Sequence, residues 1–186
     1  MNYGEIKTND VANGPGVRLS LFVSGCRNHC KGCFNPETWD FNYGEVFTVD
    51  TLDNIIKELG KPQYQGLTIL GGDPLEPENI ICVANICDEF KKAYPNKDIW
   101  LYTGYTIEER YKYLKEMAEL DSYNGWLRLQ GLIYILRDYV DVVVDGPFIE
   151  EQKNLSLKFR GSKNQRIIDM NKTRKEKEVV LWEEES

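Results

Sequence analysis

The chain has 186 residues, 41% of them hydrophobic and 12% aromatic, which suits one folded domain with a real core rather than a disordered chain. Its 23 Lys and Arg against 30 Asp and Glu leave a net charge of −7, a poor balance for general nucleic-acid binding. No apolar run approaches the roughly 18 residues of a membrane span, and the opening MNYGEIKTND has no charged-then-apolar leader pattern, so a cytoplasmic protein is expected.

Residues 17–24 (VRLSLFVS) form an apolar, β-branched run bounded by glycines and predict a strand. The loop over 25–35 holds three cysteines. Residues 49–59 predict a helix capped by Thr48 or Asp50. A short buried strand over 67–70 stops at Gly71-Gly72, and a helix follows over 76–94 with Ile80, Val83, Ala84 and Cys87 on one face. A third strand over 99–103 ends at Gly104, and a Glu- and Lys-rich helix covers 107–120. The pattern breaks over 121–125. Residues 127–136 read as a helix interrupted at Gly131, and 140–144 as a strand closed by Asp145-Gly146-Pro147. Strands are expected over 165–169 and 178–181 with a basic segment between them, and about 183–186 make a solvated acidic tail.

Strand, helix, strand, helix in order implies right-handed βαβ units and a parallel sheet. A full eight-unit barrel takes ~250 residues, so a chain of this length holds about six units. The expected architecture is therefore α/β, a single domain over 1–186 built as an open partial (β/α)6-type barrel. Its chemistry is expected where the strands end, and Cys26, Gly71, Thr103 and Asp145 all follow strands directly.

The five cysteines are an odd number without a secretory context, which argues against a disulfide scaffold. Cys26, Cys30 and Cys33 form C-x3-C-x2-C on one loop. Three thiolates there can wrap one iron–sulfur cluster and leave one iron of a four-iron cluster open, since four thiolates saturate it. A zinc site with His29 as fourth ligand is the alternative, although zinc sites usually add a distant second pair, and an electron carrier needs a fourth cysteine. Cys82 and Cys87 read as small buried hydrophobes.

C-x3-C-x2-C after the first strand resembles the radical S-adenosylmethionine (SAM) superfamily. That resemblance implies a [4Fe-4S] cluster on Cys26, Cys30 and Cys33 whose open iron is chelated by SAM, and the superfamily's barrel fold. The superfamily commonly has an aromatic residue just before the last cysteine. Here that position is Gly32 and the aromatic is Phe34, so the adenine contact is expected from backbone around Gly32 and Cys33 or from Phe34. Gly71-Gly72-Asp73-Pro74 is similar to the superfamily's GGEP motif, which implies a place for the SAM amino group. Thr103-Gly104-Tyr105 resembles the ribose-side segment of related activases, and residues 13–18 (NGPGVR) resemble their DGPG-x-R segment.

Residues 33–39 (CFNPETW), 145–148 (DGPF) and 161–166 (GSKNQR) narrow the resemblance to the short activases of anaerobic ribonucleoside-triphosphate reductase. It spans about residues 3–170 and implies reductive SAM cleavage to a 5′-deoxyadenosyl radical, which makes a glycyl radical on that reductase. A flavodoxin-like electron donor is implied as a second partner. Arg166 is open between a SAM or partner contact and a structural salt bridge, and residues 172–177 between a solvated face and a contact with an acidic partner. Another glycyl-radical-enzyme activase, a radical SAM enzyme with a small substrate, and a zinc or iron–sulfur interaction module are the rival readings.

Overall fold

The computed structural model describes residues 1–121 and 123–183. Its frame is one seven-stranded mixed sheet. In chain order the strands are β1 (Asn2–Asp10), β2 (Val17–Val23), β3 (Glu45–Val46), β4 (Tyr64–Gly71), β5 (Asp98–Tyr102), β6 (Val142–Asp145) and β7 (Arg166–Asp169). The spatial order is β3-β1-β2-β4-β5-β6-β7. The central four, β2, β4, β5 and β6, run parallel, while β1, β3 and β7 are antiparallel additions at the edges. The sheet is not closed.

Length alone predicts about six βα units, but only four strands are parallel. The connection between β5 and β6 takes two helices, α3 (Ile107–Leu120) and α4 (Asn124–Tyr134), and the stretch between β6 and β7 is nearly all loop. The remaining helices are α1 (Val49–Leu59), α2 (Ile80–Ala93) and α5 (Met170–Glu176). The strand expected over 178–181 is reduced to a single bridge between Ile168 and Leu181. Of the acidic tail, residues 184–186 lie outside the described residues, as does residue 122 in the break before α4.

Strand periodicity sorts side chains onto two faces. Leu19, Leu21, Val23, Leu67, Ile69 and Leu101 point to one side, where α1, α2 and α4 cover them and all six are fully buried. Gly131 does not interrupt α4. It is buried, and a Cβ there would meet Ile80 Cγ2 at 2.6 Å, so the glycine lets α4 lie close on α2. Thr48, not Asp50, caps α1, accepting from the Thr51 N–H at 3.2 Å. Helix α2 begins at Ile80 rather than at residue 76, after a separate turn in which the Asn79 N–H donates to Glu76 O at 2.8 Å.

The opposite face carries Ser20, Phe22, Thr68, Leu70, Trp100 and Tyr102, and no helix of this frame covers it. Its lower part packs Trp100, Val142 and Val144 with Phe159, Ile167 and Trp182. Its upper part is the site.

Candidate functional site

The cysteine loop leaves β2 through Gly25, whose φ of +99° is unfavourable for any residue with a side chain. Backbone bonds seat the loop: the Gly25 N–H donates to Thr38 O at 2.8 Å, the Cys26 N–H to Trp39 O at 3.1 Å, and the Asp73 N–H to Gly25 O at 2.7 Å. Cys26 is buried, and Cys30 and Cys33 are half-buried. All three line one pocket of about 510 Å³ that also takes in Phe34, Gly71, Gly72 and Thr103.

The Asn35 N–H donates to Cys33 Sγ at 3.4 Å, and the backbone at Asn28 and Phe148 favours the thiolate forms of Cys26 and Cys30. Such donors favour a thiolate. Against them, burial and then the nearby Asp73 charge push the Cys26 thiol up to about 12, and burial also raises Cys30. A metal would therefore displace protons as it binds.

Among the described residues, no group of three or more His, Cys, Asp or Glu is placed to hold a single metal ion. In a [4Fe-4S] cluster each thiolate binds a different iron, so three sulfurs spread around one pocket suit a cluster better than a lone ion. The His29 ring stacks on Trp39, with centroids 4.7 Å apart and planes at 21°. Among the described residues, His29 is thus not grouped with the three cysteines. Cys87 is fully buried and Cys82 half-buried on α2, and neither lines the pocket.

Two residues singled out in the sequence, Gly32 and Asp73, are not in the pocket wall. A Cβ on Gly32 would meet Glu150 Oε1 at 3.0 Å, on the loop after β6. The Asp73 carboxylate is fully buried and ties two strand ends together. It accepts from Thr103 Oγ1 at 3.0 Å, the Gly104 N–H at 2.9 Å and the Leu75 N–H at 2.8 Å. Burial raises its pKa to about 6, partly offset by the Arg110 guanidinium. Gly72 is equally structural: a Cβ would sit 2.6 Å from Gly25 O and 2.8 Å from Thr38 O. The glycine turn first makes room for the cysteine loop.

A buried ionic network, not marked out by the sequence reading, anchors the same loop from below. Glu76 is fully buried and accepts from the Arg27 N–H at 3.0 Å, Arg27 Nη1 at 2.7 Å and the Tyr105 hydroxyl at 3.1 Å. Arg110 pairs with it at 3.7 Å and lies 3.6 Å over the Tyr105 ring. Arg27 also grips Glu78 at 2.5 Å. The one available sequence signal was an arginine inside the cysteine loop with two glutamates just past the glycine turn.

The later motifs close the pocket. Arg166 is a structural salt bridge: it pairs with the buried Asp145 at 2.5 Å and with Glu108 at 2.7 Å. Gln165 Oε1 accepts from the N–H groups of Gly161 and Ser162 at 2.9 and 3.1 Å, and Asn164 Nδ2 donates to Pro147 O at 2.7 Å. These bonds fold residues 146–165 over the cysteines, with Phe148 against Phe34 at a centroid distance of 5.2 Å. In the basic stretch, Arg174 is not simply solvated. It donates to the backbone oxygens of Leu136 and Val140.

The chain matches the 4Fe-4S single cluster domain family over residues 12–168. It is 43% identical over 169 residues to the anaerobic ribonucleoside-triphosphate reductase-activating protein of Vibrio cholerae, covering 90% of this chain and 97% of that protein. The protein of that name from Enterobacteria phage T4 is 40% identical over 90% of this chain and 93% of its own length. The one from Escherichia coli K12 is 37% identical over 89% and 96%. No solved structure matches the chain.

Proposed function

Since the chain belongs to the family of anaerobic ribonucleoside-triphosphate reductase-activating proteins, with a 4Fe-4S cluster domain, we propose that it is a radical SAM activase that installs the glycyl radical on that reductase. The observation that carries this reading is the placement of Cys26, Cys30 and Cys33 around one pocket shared with the glycine turn.

Cys26, Cys30 and Cys33 would hold the cluster, and Phe34, Gly71, Gly72 and Thr103 would border SAM beside it. Bound there, cluster and SAM would supply one-electron cleavage of the sulfonium, the source of the radical chemistry that would take a hydrogen from a glycine Cα of the reductase. The electron comes from a flavodoxin-like donor in the cytoplasm.

The chain's own residues do the rest. Asp73 acts at one remove, holding Thr103 and Gly104 in register with the cysteine loop. The loop over 146–165 screens the pocket from bulk water, a condition for handling a reactive radical. A polypeptide loop of the reductase that enters this pocket would bring its donor within roughly 3–3.5 Å.

Anaerobic reconstitution with iron and sulfide tests the reading in two stages. A brown protein near four irons that cleaves SAM with dithionite is expected, followed by a glycyl radical doublet when the reductase is added. Zinc without sulfide refutes the cluster; SAM cleavage with no doublet refutes the activase assignment alone.

A further inference from the structure

Two buried nitrogen donors flank the cysteine loop without an acceptor among the described residues. They are the side-chain amide Nδ2 of Asn28 and the indole Nε1 of Trp39. Both residues line the pocket that the three cysteines line. A buried N–H with no partner is costly, and folded chains rarely leave two in one cavity.

Neither donor is free to wander. Asn28 lies between Cys26 and Cys30, and its Nδ2 occupies the space that a Cβ on Gly104 would take, so a glycine at 104 makes room for it. Trp39 is locked through its carbonyl to the Cys26 N–H at 3.1 Å, and its ring is held under His29. Neither donates to a cysteine sulfur in this structure, so both are left for an acceptor brought by a bound group. Both donors belong to the segment that carries the cysteines, whereas Gly71 and Thr103 belong to β4 and the end of β5. A third orphan, the Tyr102 hydroxyl, sits on the sheet floor instead.

We propose that Asn28 Nδ2 and Trp39 Nε1 donate hydrogen bonds to the sulfur atoms of the bound cluster and so favour its reduced state. The inference rests on the cluster reading above. A cluster gains one negative charge when it takes up an electron, and N–H donors to its sulfurs stabilise that added charge and raise the potential. The loop thereby eases delivery of the single electron, which in the test comes from dithionite.

The experiment is a redox titration of the reconstituted full chain, first without and then with SAM, followed by the electron paramagnetic resonance of the reduced cluster. Trp39→Phe keeps an aromatic ring and loses the N–H; Asn28→Leu keeps the side-chain shape and loses the amide. Each is expected to retain iron and sulfide and to lower the reduction equilibrium constant about two- to tenfold, tenfold being 59 mV for one electron. Full iron content with unshifted potentials overturns the proposal. So does a shift that appears only after SAM is added, because the donors then serve SAM.

If a variant fails to assemble, wild-type protein carrying 15N-indole tryptophan replaces it. A nitrogen coupling to the reduced cluster is expected and its absence overturns the role of Trp39. Wild-type protein that binds no iron refutes the cluster reading itself, an outcome distinct from an intact cluster of unchanged potential.

Discussion

Replacing Glu76 with Gln removes one charge from the network under the cysteine loop and changes almost nothing else in shape. The carboxylate is fully buried, and its partner Arg110 is only 3% exposed. Breaking a buried pair by neutralising one side typically costs about 3–5 kcal/mol, mostly because the other charge is stranded. Two features favour the low end. Arg110 still feels the buried Asp73, and Arg27 keeps Glu78 in its half-exposed position. About 3 kcal/mol is expected, a large part of the 5–15 kcal/mol that holds most domains folded. At roughly 2 kcal/mol per molar urea, the unfolding midpoint of the cluster-free chain should fall by about 1.5 M. Iron uptake should fall as well, since Glu76 fixes the Arg27 N–H between two of the cysteines. Adding Arg110→Met should recover a substantial part of the loss, giving a clear coupling in a double-mutant cycle. A midpoint shift below about 0.3 M, or purely additive single costs, would refute the reasoning.

Cys26→Ala, Cys30→Ala and Cys33→Ala should each abolish the cluster on reconstitution. Cys82→Ala and Cys87→Ala should keep full iron and cost only packing, on the order of 1–2 kcal/mol or less; an iron deficit in either sinks the three-ligand assignment. Gly72→Val drives a side chain against the backbone of Gly25 and Thr38, so iron content and folding stability should both drop, not SAM affinity alone. Normal iron with weakened SAM binding would show that the turn serves the ligand only. Asp10 gives a pH signature. Burial opposes its ionisation, yet bonds from Ser20, Asn13, the Ala12 N–H and Lys7 hold its carboxyl down at about 2. A carboxyl held below its ordinary 3.8 adds stability above that pH and loses it as pH falls towards 2. Asp10→Asn should therefore be less stable at neutral pH but flatter through that acid window, by circular dichroism; an unchanged acid limb would remove Asp10 from the account.

The parallel strands were legible because their apolar runs end at glycines, as at Gly71 and Gly104, and the clustering of Cys26, Cys30 and Cys33 on one loop beside the pocket was legible from their spacing. Strand β1 was not. Its sequence, NYGEIKTND, mixes polar and charged residues because much of it lies at the sheet's edge, where the burial pattern that signals a strand is absent. The length estimate failed for a related reason: residues that form loop, such as 146–165, count the same as residues in βα units. Motif likeness also located Asp73 and Arg166 without fixing their partners. A carboxylate facing three donors in its own fold cannot be told by sequence from one facing a ligand, since both require the same residue in the same place. The Glu76–Arg110 pair was invisible because the two residues lie 34 positions apart and meet only through the packing of α3.

The sheet face opposite the helices is closed at its lower end by the chain's own N-terminal turn. Arg18 is wholly buried there, donating to Thr68 Oγ1 at 2.7 Å and Leu67 O at 2.9 Å and pairing with Asp98 at 2.8 Å. Thr68 in turn donates to Asn13 O at 2.8 Å. The chain can double back over these groups because Gly14 has a φ of +126°, and a Cβ there would crowd Arg18 and Trp100 at 2.9 and 3.1 Å. The NGPG segment, read from the sequence as an activase motif, thus plugs the lower end of the open face. Further strands are unnecessary for that task. With that turn at one end and residues 146–165 folded over the cysteines at the other, the open sheet face becomes a cavity.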